Sequence, residues 1–185
     1  MKRVIAVIAA AVMMVSLAGC ALFPKEKEFH VSEMVITLTD AFEEAEFEGF
    51  NKAFDSRKAA VFVLREDKAL LGGVKISLAE YADLTRAANV NRGPSEIKNE
   101  DGLVYFEYDY YGADGTTIYS YLTSLYESDQ AFWLVQLACK QTEWEKMRPE
   151  FVKYAQSVTF EVAVPNAGQE SSDGAGQEPA QNPAQ

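Results

Sequence analysis

Residues 103–111 read LVYFEYDYY, and this stretch decides how the fold is interpreted. Its alternating pattern is typical of an antiparallel strand that packs one face against a core. Turn sequences bound the strand on both sides, Asp101-Gly102 before it and Gly112-Ala113-Asp114-Gly115 after it. On this pattern one face of the strand carries Val104, Phe106, Tyr108 and Tyr110.

Two further strands follow and complete an antiparallel meander. Thr116 to Tyr126 forms the second strand, and Glu127-Ser128-Asp129-Gln130 forms the turn after it. Residues 131–139, AFWLVQLAC, are apolar almost throughout. Such a run is expected in a strand that is buried on both faces, so we predict that it is central in the sheet.

The chain before the meander contains strands and one helix. Phe29 to Leu38 and Ala59 to Arg65 each have the composition of a strand. Ser77 and Glu80 have the spacing of a capping box, in which each residue's side chain bonds the backbone of the other. We therefore predict a helix from this point to about Asn89.

The chain after the meander is predicted to end in a helix and an edge strand. Thr142-Glu143-Trp144-Glu145 is a second capping-box sequence. Because proline lacks the N–H that an unbroken helix needs, Pro149 predicts a short turn up to Met147 and then a helix to Val158. Pro149 would lie in the first turn of that helix. Thr159 to Val164 would form the edge strand.

The N-terminal segment has the order of a secretory signal, with the cations Lys2 and Arg3 before an apolar run from Val4 to Ala18. This run is shorter than the about 20 residues that a membrane-spanning helix needs. A Cys directly after Leu-Ala-Gly is typical of bacterial lipoproteins. We therefore predict cleavage between Gly19 and Cys20, lipid on Cys20, and a protein anchored to the bacterial cell membrane on its exported side.

Domain boundaries follow from this interpretation. Residues 1–19 form the signal peptide, 20–28 the lipidated Cys and a tether, and 29–164 a single folded domain. Residues 165–185 contain no large apolar side chain. We expect this tail to be disordered, because it cannot bury enough surface to offset the loss of chain entropy.

Charge and composition exclude several functions. The chain has 28 Asp and Glu residues against 17 Lys and Arg, and a net charge of −11. It lacks the basic stripe that binds phosphates, so we expect no nucleic-acid partner. His30 is the only histidine and Cys139 lies in an apolar run, so we expect no metal site, no cofactor and a buried, unreactive thiol. No catalytic constellation is visible, and we expect a protein without enzymatic activity.

Tyrosines are concentrated in the meander. One interpretation is cross-strand aromatic packing, which stabilises a sheet. The other is an exposed aromatic face that binds a protein or an amphiphile, because tyrosine joins an apolar ring to a polar tip. The candidate residues for such a face are Tyr105, Tyr111, Tyr119 and Tyr121.

The order of these elements resembles the PsbP-like superfamily, which includes DcrB-like bacterial lipoproteins. The resemblance is carried by the meander and by the segments VITL at 35–38, AVFVL at 60–64, SLAEY at 77–81 and FVKYAQSVTF at 151–160. It implies an α+β fold, a PsbP-like α/β/α sandwich whose single central antiparallel sheet is flanked by helices on both faces. It also implies a binding or assembly role without catalysis.

Three functions are compatible with these observations. The first is a non-catalytic accessory, assembly or protein-binding module that acts on an envelope protein. The second is a binding protein for a small amphiphilic ligand that uses a tyrosine-lined groove. The third is a hydrolase built from carboxylates, although no productive pair can be chosen from sequence spacing.

Lipid attachment can be tested at the predicted cleavage site. Replacing Cys20→Ala should abolish the incorporation of radiolabelled palmitate, because Cys20 supplies the only sulfur expected to be acylated. Cys139→Ala is the matched control and should leave the label unchanged. Palmitate that still enters the Cys20→Ala variant would show that the anchor has been assigned to the wrong residue.

Overall fold

The computed structural model describes residues 24–72 and 74–161. Within these residues the chain forms ten strands and two α-helices. The helices are α1, Leu78–Ala88, and α2, Trp144–Gln156. The strands are β1 Glu26–Val31, β2 Met34–Thr39, β3 Glu43–Ala45, β4 Lys52–Asp55, β5 Ala59–Asp67, β6 Lys98–Glu100, β7 Leu103–Tyr111, β8 Ile118–Glu127, β9 Ala131–Lys140 and β10 Thr159–Phe160.

The strands form two antiparallel sheets in the described part of the chain. The larger sheet has the order β3-β4-β5-β9-β8-β7-β6, and the smaller has the order β1-β2-β10. The predicted meander is confirmed as β7, β8 and β9, and β9 is central as expected. The prediction of a single sheet is wrong, because a tight turn divides the predicted strand Phe29 to Leu38 into the hairpin β1-β2. Ser32 occupies that turn with a φ of 52°.

Successive side chains of β9 enter two different cores. Trp133, Val135 and Leu137 belong to a core that also includes buried residues of β1, β2 and α2. Phe132 and Leu134 belong to the other core, which includes buried residues of α1. The protein is therefore mostly antiparallel sheet with two helices. The small sheet packs together with α2 on one face of the large sheet, where the predicted sandwich had helices alone.

A polar network joins the two sheets at one end of the molecule. Glu33 lies in the β1-β2 turn, and its carboxylate accepts hydrogen bonds from the Arg65 guanidinium and from the Ser128 hydroxyl, each at 3.3 Å. The Trp133 indole N–H donates to the same Ser128 hydroxyl at 3.2 Å. These bonds position the small sheet on the large one. Burial acts to raise the pKa of Glu33, but its own backbone N–H, followed by Arg65 and Ser128, holds that pKa below its ordinary value.

The two helices begin differently from one another. Helix α1 has the predicted capping box, since the Ser77 hydroxyl accepts from the Glu80 N–H and the Glu80 carboxylate accepts from the Ser77 N–H. Helix α2 begins at Trp144 without a side-chain cap and continues through Pro149. The predicted break near Met147 is therefore wrong. Pro149 is exposed, and a proline on the solvent side of a helix is tolerated because water can hydrogen-bond the carbonyl that lacks an N–H partner.

Several predicted segments lie outside the described residues. These are the signal peptide 1–19 with Gly19, the lipidated Cys20 and the tail 165–185. Strand β1 begins at Glu26, inside the predicted tether, because Glu26 to Glu28 pair with β2. Among residues 24–72 and 74–161, no helix is long and apolar enough to cross a membrane.

Pro149 gives a direct test of helix α2. We expect Pro149→Ala to raise the free energy of unfolding by about 1–3 kcal/mol, because alanine restores a helical hydrogen bond and has a much better helix propensity. Urea unfolding followed by circular dichroism measures the change. A loss of stability would mean that the helix is not continuous at this residue.

Candidate functional site

Cross-strand pairing brings four tyrosines of the meander together. Tyr108 lies opposite Tyr121, and Tyr110 lies opposite Tyr119. The rings of Tyr108 and Tyr121 are stacked, with centroids 4.8 Å apart and planes at 11°. These four residues lie on the α1 face of the large sheet, and two of them, Tyr119 and Tyr121, belong to the predicted set.

Tyr105 does not belong to this face, and the prediction that it is exposed is wrong. It lies on the opposite face of β7 and is completely buried. Its hydroxyl donates to the Glu100 carboxylate at 2.8 Å and accepts from the Arg148 guanidinium at 3.3 Å. Burial, reinforced by Glu100, raises the pKa of Tyr105 to about 12. Tyr105 is therefore a structural residue.

An open groove lies on this face of the large sheet, between the tyrosines of β7 and β8 and the phenylalanines near β5. Its volume is about 430 Å³, within the range that is usual for small-molecule sites. Three phenylalanines on the same face of the sheet, from β5 and from the segment before β4, complete its aromatic lining, and their ring centroids are 4.8–5.9 Å apart. The lining residues are Phe47, Phe50, Phe62, Arg92, Tyr108, Tyr110, Tyr111, Gly112, Ala113, Tyr121 and Gln136.

The candidate tyrosines have different positions relative to this groove. Tyr111 is at its rim with 59% of its surface exposed, and Tyr121 is in its lining. Tyr119 lies beside it, where its ring packs on Gly112. A Cβ at Gly112 would come within 2.8 Å of that ring, so only glycine allows this contact. The role of these three tyrosines in binding stays a prediction.

Polar groups converge at one point in the groove. The guanidinium of Arg92 lies 4.8 Å from the Tyr110 ring centroid and 5.5 Å from that of Tyr108, a distance that permits cation–π attraction. One of its nitrogens donates to the Asn89 side-chain oxygen at 2.7 Å and to the Tyr108 hydroxyl at 3.3 Å. The buried Gln136 amide also donates to the Tyr108 hydroxyl, at 3.1 Å.

The ionisation state of the groove follows from burial. Burial raises the pKa of Tyr108 above its ordinary value, although Arg92 opposes the shift. Burial also raises the pKa of Tyr121. Both phenols are therefore neutral at physiological pH, and Arg92 is the single charged residue in the groove lining.

The sequence patterns did not predict the phenylalanines and the arginine that line the groove beside the tyrosines. Phe47 has 57% of its surface exposed and packs on Phe62 in the groove wall. Arg92 lies in the short turn Val90–Arg92 that follows helix α1. Its sequence position does not suggest a site, and only its closeness to the tyrosine rings in space does. No periodic pattern could have identified these residues, because they come from different elements.

The other groups that could carry chemistry are separate from the groove. His30 has an exposed side chain, with its Nδ1 3.3 Å from the Glu161 carboxylate. Cys139 is buried, and burial raises the pKa of its thiol to about 11, so it is protonated and unreactive at neutral pH. In the part of the chain that the structure describes, no three His, Cys, Asp or Glu side chains come close enough to hold a metal ion.

The comparisons with known proteins are informative about fold. No family model and no curated protein sequence matches the chain. The solution structure of cyanobacterial PsbP (CyanoP) from Synechocystis sp. PCC 6803 matches with a TM-score of 0.50 and 12% identity, covering 75% of this chain and 94% of that one. The chain has a PsbP-like fold.

Two other structures resemble this PsbP-like chain. A crystal structure from Bacteroides thetaiotaomicron has a TM-score of 0.51 and 8% identity, and covers 76% of this chain but 49% of that one, so the chain spans about half its length. LpqN, described as involved in cell envelope biogenesis of Mycobacterium tuberculosis, has a TM-score of 0.46 and 12% identity, covering 73% and 90%. At 8–12% sequence identity, the similarity to these structures concerns the fold alone.

The β7-β8 loop that supplies Gly112 and Ala113 to the groove is held by Asp114. Its carboxylate accepts the Thr116 and Thr117 backbone N–H groups at 2.9 and 2.8 Å and the Thr117 hydroxyl at 2.6 Å. The Thr117 hydroxyl, followed by these backbone bonds, lowers the pKa of Asp114 from 3.8 to about 2.

A pH dependence follows from this carboxylate. Because its folded pKa is lower than its unfolded pKa, Asp114 stabilises the fold above about pH 4, and the contribution is lost as the pH falls through 2. We expect Asp114→Ala to be less stable than the wild type at pH 6, with the difference shrinking between pH 4 and 2. Urea unfolding at several pH values measures this difference.

The control for this experiment is Asp129→Ala. Asp129 is an exposed residue in the neighbouring β8-β9 turn and has no side-chain hydrogen bond in the described structure. Its substitution should produce little change at any pH. A stability difference for Asp114→Ala that stays constant down to pH 2 would contradict the assigned role of the carboxylate.

Proposed function

We propose that this protein is a membrane-anchored bacterial lipoprotein that acts as a non-catalytic accessory or assembly module at the cell envelope. In this proposal lipid on Cys20 holds the domain at the exported side of the membrane, and the aromatic groove binds an envelope protein. The observation that carries the proposal is the exposure of large aromatic side chains around the groove, since exposed apolar surface of this kind is typical of interaction sites.

The composition of the groove supports a binding role. Tyrosine, phenylalanine and arginine are enriched in the centres of protein interfaces, and the groove combines all three. Tyr110 and Tyr111 are 47% and 59% exposed. A bound partner would bury this surface. The rings would then make apolar contacts, while the hydroxyls stay at the solvated rim of the interface.

The state of the potential nucleophiles supports a role without catalysis. A thiol acts as a nucleophile only when it is deprotonated, whereas the Cys139 thiol has a raised pKa. A histidine base needs a nucleophile within hydrogen-bond reach, and the described contact of His30 is with Glu161. Neither residue lines the groove.

A second candidate function is the binding of a small amphiphile in the same groove. The volume of about 430 Å³ favours it, because a flat protein-binding patch would have no comparable cavity. The Arg92 guanidinium, the Gln136 amide and the Tyr108 hydroxyl supply convergent polar groups in an apolar lining.

Photo-crosslinking in the native envelope distinguishes these functions. Tyr111→p-benzoylphenylalanine places the crosslinker at the groove rim, and Lys153→p-benzoylphenylalanine places it on helix α2, on the opposite side of the large sheet. We expect one envelope protein to be crosslinked from Tyr111 and not from Lys153. Mass spectrometry of the adduct identifies it.

Three results would contradict the primary proposal. Identical adducts from both positions would mean that the groove is not a specific interface. Adducts of lipid mass from Tyr111, without a protein adduct, would favour the second candidate function. Recovery of the protein itself in the soluble fraction, when the membranes are prepared, would contradict the lipid anchor.

A further inference from the structure

The groove differs in charge from the rest of the molecule. The chain has 28 acidic residues against 17 basic ones, and carboxylates are therefore common on its surface. None of the residues that line the groove is acidic, and one, Arg92, is a cation. A positively charged apolar cavity on an acidic protein favours a ligand that carries a negative charge.

Arg92 differs from the three arginines of the described structure that are ion-paired. Arg65, Arg86 and Arg148 each form an ion pair with a carboxylate. Arg92 has no such partner among the described residues, and its hydrogen bonds come from one guanidinium nitrogen. The N–H groups of its other two nitrogens are thus available for an oxyanion.

The two tyrosines under Arg92 fix its position. The Arg92 guanidinium carbon lies over the rings of Tyr108 and Tyr110, at 5.5 and 4.8 Å from their centroids, where cation–π attraction holds it. The hydrogen bond to Asn89 holds the same side chain from the other direction. A guanidinium that is held before binding loses less conformational entropy when it captures an anion.

The neutral phenols leave this charge uncompensated. The pKa values of Tyr108 and Tyr121 are raised by burial, so neither ring is an anion that could neutralise Arg92. Beside the charge, the aromatic floor offers a surface that an alkyl chain or a flat apolar group can cover. The cation and the apolar floor lie in one cavity of about 430 Å³.

We propose that the groove is a binding site for a single-chain anionic amphiphile, whose phosphate or carboxylate head binds Arg92 and whose apolar chain lies on the ring surfaces of Tyr110, Tyr111 and Phe47. This inference deepens the second candidate function and rests on it. It names the ligand class, which that candidate left open.

Binding is tested with residues 20–185 carrying Cys20→Ser, so that no acyl chain of its own competes. The probes are decyl phosphate and decyl maltoside, each below its critical micelle concentration, and inorganic phosphate, and isothermal titration calorimetry measures Kd. We expect decyl phosphate to bind at least about tenfold more tightly than either other probe, because only it engages Arg92 and the rings together.

Arg92→Gln tests the head group contact, and Arg57→Gln is the matched control. Arg57 is exposed, lies in the β4-β5 turn outside the groove lining and is not ion-paired in the described structure. We expect Arg92→Gln to weaken decyl phosphate binding about tenfold or more and Arg57→Gln to leave it unchanged. Tyr110→Ala should weaken it by removing part of the apolar floor.

The outcomes are distinct. Equal affinity for decyl phosphate and decyl maltoside would overturn the charge selection, even if a variant failed to fold, since both are measured on the unaltered groove. Equal losses in Arg92→Gln and Arg57→Gln would also overturn it, because binding would then follow net charge. A protein partner crosslinked at Tyr111 would be unaffected by these results, so failure here is separable from failure of the primary proposal.

Discussion

Burial of β9 on both faces is the constraint on which the rest of the structure depends. Every residue from Ala131 to Cys139 is buried, and alternate side chains supply two cores. A strand of this kind is stable only if other elements cover the sheet on each side, because exposed apolar rows would lose the free energy of burial. The small sheet and α2 cover one side, and α1 contributes to the other.

The groove follows from unequal covering of these two faces. The core with Trp133 is closed by a second sheet and by the two buried aromatic residues of α2, Phe151 and Tyr154. On the other face, α1 contributes only two buried residues, Tyr81 and Ala82. One short helix cannot cover seven strands. The aromatic residues beyond its reach therefore pack on one another and leave an open cavity.

Electrostatics then separates this cavity from the rest of the surface. The opposite face of β7 carries Glu107, whose carboxylate is shared by Lys98 and Arg148 at 3.3 and 2.8 Å. On that face each cation is paired with a carboxylate, and the ion pairs connect β6, β7 and α2. In the groove Arg92 has phenols and an amide for neighbours, so its charge is available to a ligand. Strand β7 thus has a neutralised ion network on one face and the Arg92 charge beside its other face.

The sequence by itself determined the meander, the central place of β9 and the capped helix α1, since these follow from local alternation and capping chemistry. The PsbP-like fold was implied only by the resemblance in the order of the elements. It also determined that the tyrosines alternate between faces, although not that Tyr105 lies on the buried one. Only the tertiary structure decided the second sheet, the continuous helix through Pro149 and the groove. The physical reason is that Phe47, Arg92 and Gln136 are distant in sequence, and contacts between such residues depend on packing rather than on any local pattern.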